Sequence, residues 1–271
     1  MHYYKSVKDD TPVIKKLNEL AELHPTRGLD SYYGRIRAEG IKWNRKRVLR
    51  VYRMLKLQMR RKRKRRLPTR HPEPLFQPLV VNKSWSMDFM SDALTSGRRI
   101  RILNIIDDYN REALWVDAQF SYPGDFVVRA LEILEMDRGL PDQIRVDNGP
   151  EFMSKRLATF CKQKNVKLEF IKPGKPTQNA YVERFNRLYR EDVLDAYLFN
   201  TKNQLQVISD KWKADYNNNH PHKSLGGISP NRYKILHHKS IDSDKPVKAK
   251  MNDSLRSSAL TGLSEKINQC L

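Results

Sequence analysis

Apolar side chains recur along the chain in two rhythms, and the change from one to the other divides it. After Asp10-Thr11-Pro12, a cap residue followed by a helix-starting proline, Val13, Leu17, Leu20 and Leu23 form one stripe that ends near His24-Pro25. Asp30 is placed to cap a second helix running through Ile36 and Glu39 to Gly40. Asn44 opens a third, with Val48, Leu49, Tyr52 and Leu55 inward. Spacings of three and four over residues 11–58 therefore predict three short helices in a small helix-turn-helix-like bundle.

From residue 84 the period drops to two. Ser84-Trp85-Ser86-Met87-Asp88-Phe89-Met90 alternates small or polar with bulky apolar residues, so Asp88 falls mid-strand. Residues 100–107 and 113–118 read as two more strands joined by the turn-forming Asp107-Asp108-Tyr109-Asn110. A helix over 123–138 turns Phe126, Val127, Ala130, Leu131 and Leu134 inward; a short strand over 143–146 ends in Asp147; a helix over 154–164 and a strand over 168–171 come next. Pro173, Gly174 and Pro176 break the chain before a helix that starts near Gln178, carries Val182, Phe185 and Leu188, and runs to Val193. Another, over 204–219, buries Leu205, Ile208, Trp212 and Tyr216. The order predicts an α/β domain, a mixed five-stranded sheet with helices on both faces.

Charge changes this picture. The chain of 271 residues carries a formal net charge of +21, a balance whose natural counterpart is a polyanion, most simply nucleic acid. Fifteen Lys and Arg and no acid lie between Lys42 and Arg70, including Arg45, Lys46, Arg47, Arg50 and Arg53 and the unbroken run Arg60, Arg61, Lys62, Arg63, Lys64, Arg65 and Arg66. These are candidate DNA contacts, and seven consecutive cations repel one another into an extended linker. Prolines at 68, 72, 74 and 78 stiffen it. The domains expected are a DNA-binding bundle (1–59), a basic Pro-rich linker (60–83), an α/β core (84–236) and a polar tail (237–271). No stretch approaches the roughly 18 apolar residues of a membrane span, and no secretory signal precedes the first charged turn. Two cysteines, Cys161 and Cys270, make neither a disulfide framework nor a zinc site and fit a reducing cytoplasm. His220, His222, His237 and His238 read as solvated loop histidines.

Three acids stand out by position. Asp88 is in a strand, Asp147 ends one just before the Asn148-Gly149 turn, and Glu183 shares a helix face with Asn186, Arg187 and Arg190. Asp107 and Asp108 are explained by hairpin geometry, Glu151 by capping the next helix, and Glu191 and Asp192 point away from Glu183.

Thirty-five residues separate Asp147 from Glu183, and Arg190 lies seven beyond the glutamate. That order, with VDNGPEF at 146–152 and QNAYVERFNRLYRE at 178–191, resembles the DDE transposase and retroviral integrase superfamily. Within it the chain looks most like the bacterial insertion-sequence transposases of OrfB type, from about Pro12 to Tyr233; the segment 219–230 resembles their closing segment. The resemblance implies an RNase H-like integrase core that cuts DNA and joins the freed 3′ end, using two Mg2+ (or Mn2+) ions per active site. Asp88 would bridge the ions, Asp147 would hold one and Glu183 the other. Arg190, Arg187, Lys172, Lys175, Gln178 and Asn179 are candidate DNA contacts beside them, though helix capping accounts for Asn179 nearly as well. The implied partners are double-stranded DNA (element terminal repeats and target), an OrfA-type recognition subunit or fusion, and further copies of the chain. The implied setting is the bacterial cytoplasm at the nucleoid. The chemistry is consistent: two ions serve the attacking and leaving oxygens of an in-line displacement, and carboxylates are their hard ligands. Without metal, neighbouring carboxylates repel by about 4 kcal/mol at 4 Å and an effective dielectric of 20.

Overall fold

The computed structural model describes residues 9–59, 77–171 and 179–237. Three helices come first, α1 (Thr11–Leu23), α2 (Leu29–Ala38) and α3 (Arg45–Met54). Val13, Leu17 and Leu20 of α1 pack with Tyr32, Ile36, Val48, Val51 and Tyr52 in a core of their own. Asn44 caps α3 as expected, its side chain accepting from the Lys46 N–H at 2.8 Å. The other two caps differ from expectation. Gly28 occupies the cap position of α2 and Asp30 lies in its first turn. Asp10 precedes α1 without capping it, because its carboxylate is drawn to Arg47 at 2.9 Å and Arg50 at 2.5 Å.

The sheet comprises β1 (Ser84–Ala93), β2 (Arg99–Asp107), β3 (Ala113–Gln119), β4 (Gln143–Val146) and β5 (Lys167–Phe170) in the order β3-β2-β1-β4-β5. The first three strands are antiparallel and β4 and β5 join in parallel, as the helical crossovers α4 (Gly124–Arg138) and α5 (Lys155–Gln163) require. Strand alternation sends Trp85, Met87, Leu103 and Ile105 toward α4 and α5. It sends Met90, Ile102, Ile106 and Val116 toward α6 (Ala180–Tyr189) and α7 (Lys202–Asn219). A short α8 (Pro230–His237) closes the described chain.

The helix bearing Glu183 does not continue regularly to Val193. After Tyr189 it widens into one π-helical turn, Arg190–Leu194. Asp192, inside that turn, faces the loop between α1 and α2, where it accepts from the Thr26 hydroxyl and the Arg27 guanidinium, and it also accepts from the Trp212 indole N–H of α7 at 2.9 Å. Arg35 adds a bidentate pair to Asp215 of α7 at 2.9 and 2.6 Å. Between these pairs α2 lies directly on Pro221: a Cβ at Gly34 would fall 2.6 Å from the proline ring. Gly34→Ala is therefore expected to loosen the bundle from the core, read as faster proteolysis between them with the core's own melting unchanged; an unaltered digestion pattern would show that the contact yields freely.

The histidines also differ from expectation. His220 is buried and His222 half-buried rather than solvated, His220 stacked on Tyr216 at 5.5 Å and His222 edge-on to the same ring at 5.1 Å. Removal from water holds both below the usual imidazole range, His222 at about 3.

Candidate active site

Asp88 lies opposite Asn104 of β2 in the antiparallel ladder. On its other side Ser84, Trp85 and Ser86 pair in parallel with Gln143, Ile144 and Arg145. Two more steps of that register bring Asp147, the residue after β4, beside Asp88 on the face that α6 covers. Asn186 of α6 donates its Nδ2–H to Asp88 Oδ2 at 2.7 Å, and its Oδ1 accepts from Asn104 Nδ2 at 2.7 Å. This chain of side chains fixes α6 against β1 and β2. Glu183 sits one turn earlier on the same helix, exposed.

Asp88 feels the other two acids. Burial pushes the Asp88 carboxyl up to about 6, with the Asp147 charge adding to the rise and Glu183 contributing further, against the Phe89 N–H and the Asn186 amide, which favour the anion. Partial burial likewise raises Glu183, opposed by the Arg187 guanidinium. Among the described residues no three His, Cys, Asp or Glu side chains stand close enough to grip an ion as they lie. The reason is visible at Asp147, whose Oδ1 accepts the Gly149 N–H of its own turn at 3.0 Å, and at Glu183, which extends into solvent. The donor set, three hard carboxylates, suits Mg2+ or Mn2+.

The rival acids have structural occupations. Asp107 accepts the Asn82 and Tyr109 N–H groups, both at 2.9 Å. Asp108 accepts the Ser84 and Ser86 hydroxyls at 2.8 and 2.6 Å and faces Arg145 at 3.3 Å. Glu151 does not cap α5; Ser154 does, while Glu151 pairs with Arg101 at 2.6 Å.

The expected DNA contacts divide. Arg190 turns back onto β1, donating to the Ser91 carbonyl at 3.0 Å and facing Asp92 at 3.6 Å. Asn179 is 2% exposed and stands at the N-cap position of α6, with no side-chain cap bond among the described residues. Arg45 pairs with Asp30 at 2.6 Å and Arg47 and Arg50 share Asp10, whereas Lys46, Arg53 and Arg187 are exposed with no ion pair among the described residues. Lys172, Lys175, Gln178 and the run Arg60–Arg66 lie outside the described residues. Sequence reasoning missed Asn104 and placed Asn186 only on a polar helix face with Glu183. The signal for Asn104 was present, a lone amide in the apolar run Ile102-Leu103-Asn104-Ile105-Ile106 that needs a buried partner, and Asn186 is that partner.

A five-stranded mixed sheet of this order, with acids at the β1–β4 seam and on the covering helix, defines an RNase H-like core of the polynucleotidyl transferase kind. Two family models, both described as integrase core domain, match residues 80–176 and 164–230. The insertion element IS407 uncharacterized 31.7 kDa protein of Burkholderia multivorans is 35% identical over 244 residues, 90% of this chain and 88% of the relative. The insertion element IS476 uncharacterized 39.2 kDa protein of Xanthomonas euvesicatoria is 35% identical over 218 residues, 80% of this chain and 63% of that relative. Among solved structures, a chain of a simian T-cell lymphotropic virus intasome complex shares the fold at a TM-score of 0.53 and 15% identity, over 88% of this chain and 80% of that one. The chain belongs to the DDE transposase and integrase superfamily and is an enzyme of that class. No helix among the described residues is long and apolar enough to cross a membrane.

The electrostatics carry a prediction of their own. Because the folded chain raises the Asp88 carboxyl from 3.8 to about 6, this group favours folding below pH 3.8, and that contribution is lost as pH rises through 6. The difference is about 3 kcal/mol. Asp107, also raised to about 6, titrates in the same window, so the share of Asp88 is isolated by substitution. In EDTA, Asp88→Asn is expected to lose less stability than the parent between pH 4 and 8 by denaturant titration. Mg2+ should then stabilise the parent and not the variant. Identical pH profiles would show that Asp88 carries no excess repulsion.

Proposed function

We propose that the chain is an insertion-sequence transposase that cuts a DNA strand at the element's end and joins the freed 3′-hydroxyl to a second phosphodiester, with Asp88, Asp147 and Glu183 holding a pair of Mg2+ (or Mn2+) ions. The observation that carries this reading is the convergence of acids from β1, the end of β4 and α6 closely enough that two of them raise the third. When bound, the ions supply positive charge to the attacking and leaving oxygens. The chain's own residues do the placing. Asp88 stands in β1 and Asp147 directly follows β4, the strand paired with it in parallel. Glu183 arrives on a helix whose position is set by the Asn186 bond to Asp88. Water is the first nucleophile and releases a 3′-hydroxyl. In the second displacement that 3′ oxygen bonds to a target phosphorus as the phosphorus releases its own 3′ oxygen, so the number of phosphodiesters is conserved and no oxidant or nucleotide is consumed.

The reading includes double-stranded DNA, both element ends and target, as substrate, with several copies of the chain bridging two ends. An OrfA-type subunit or fused domain would contribute end recognition, and the bacterial nucleoid would be the place of action. The direct test incubates purified protein, alone and with the product of an upstream reading frame, with paired element ends and target DNA in Mg2+, Mn2+ or EDTA. Joined products that require the divalent ion are expected. Nicked ends that never join under any of these conditions would replace the transposase by a nuclease.

A further inference from the structure

A groove of about 1910 Å³ runs between the three-helix bundle and the core, walled by α2 and α3 on one side and by α6, the segment after α7 and the start of α8 on the other. Its lining includes Arg37, Arg53, Arg184, Arg187, Lys223 and Arg232. All six are exposed, and none has an ion pair among the described residues. The acids of the lining are otherwise engaged: Asp30 faces Arg45 at 2.6 Å, Glu191 faces Arg27 at 3.7 Å and Asp195 faces Arg190 at 3.9 Å. The groove is therefore positive with little internal neutralisation. One end is marked by Arg184 and Arg187, the residues one and four positions after Glu183 on α6. Four of the six cations, Arg37, Arg184, Lys223 and Arg232, lie outside the basic stretch that dominates the sequence.

We propose that this groove is the track along which the DNA backbone is led to Glu183, its phosphates gripped from both sides. This rests on the DNA-joining function proposed above and assigns that substrate a place. The bundle then meets DNA through its inward side and the exposed ends of α2 and α3, while the outer cations Arg47 and Arg50 brace the bundle against Asp10. Long, unpaired Arg and Lys side chains on separate elements fit contacts to phosphate, which position a duplex without reading its sequence.

The test measures binding of a random-sequence DNA duplex over a KCl series, using the full chain carrying Arg37→Gln, Lys223→Gln and Arg232→Gln together. Each lost phosphate contact lowers the slope of log affinity against log salt by about 0.9. A slope smaller by about 2 to 3 is expected, and Arg129→Gln, on the exposed side of α4 and outside the groove, should leave it unchanged. Because the three substituted side chains are exposed and have no ion pair among the described residues, folding should be retained; a matching thermal melt checks this, and single substitutions, each expected to lower the slope by about one contact, serve if the triple variant melts early. An unchanged slope in the folded groove variants, or an equal fall in Arg129→Gln, would overturn the groove assignment while joining by the parent protein stands. Failure of the parent to bind or join DNA at all would instead remove the function on which the proposal rests.

Discussion

Glu183→Gln is expected to lower strand joining by on the order of 10²–10³-fold or more, the scale on which removal of one charge-stabilising group acts, while DNA retention at low salt stays intact. Glutamine matches glutamate in size and sits as easily on the exposed face of α6, so helix packing through Val182, Phe185 and Leu188 is untouched. The loss is of an anionic oxygen. A neutral amide is a poor ligand for a hard divalent ion, and one of the charges that raises Asp88 goes with it. DNA retention should hold or tighten slightly, because the substitution removes a negative charge beside Arg184 and Arg187. Glu151→Gln is the matched control: it loses the Arg101 pair and no member of the carboxylate group, and joining should change little. Both quantities are measured on one preparation, joined product by gel and retention by filter binding. Retained joining would take Glu183 out of the site, and loss of joining and retention together would mean the residue supports the fold.

How far the sequence anticipates this arrangement depends on the range of the forces involved. Strands and helices arise from nearest-neighbour periodicity, and all five strands, the capped α3 and the helix over α7 fall where the pattern of apolar residues puts them. Asp88 and Asp147 are legible because each is tied to a strand, and strand order places them side by side. Glu183 is legible through its motif. The docking of the bundle is not, because Arg27 and Asp192 are 165 residues apart and each alone looks like a surface charge. The π turn is equally silent: a 3.6-residue period carries Val182, Phe185 and Leu188 forward without signalling that one more residue will be inserted before Val193. The pairing of Arg45, Arg47 and Arg50 is not legible either, because charge counting takes no account of Asp10 and Asp30, which arrive from elsewhere in the bundle.

Arg27→Ala should cost about 3–5 kcal/mol, the penalty for leaving one member of a buried ion pair without its partner. The side chains of Arg27 and Asp192 are 9% and 15% exposed, so solvent compensates neither. Arg27 also donates to the Leu188 carbonyl at 3.4 Å, near the end of the helix that bears Glu183, and Asp192 sits in the π turn just beyond it. With alanine at 27 the Asp192 carboxylate keeps the Thr26 hydroxyl and the Trp212 N–H but loses its only close cation among the described residues. The π turn is then free to relax toward a regular helix, which rotates Asp192 and moves the end of α6. Joining should fall with stability, whereas Arg27→Ala combined with Asp192→Asn should be the more stable of the two variants, since no charge is left stranded, and should recover part of the joining. That coupling is read from denaturant unfolding of the two single variants and the double variant, with joining measured below the transition of the weakest. Additive losses would show that the pair does not act as a unit, and undiminished joining in Arg27→Ala would show that the bundle's grip has no bearing on the helix carrying Glu183.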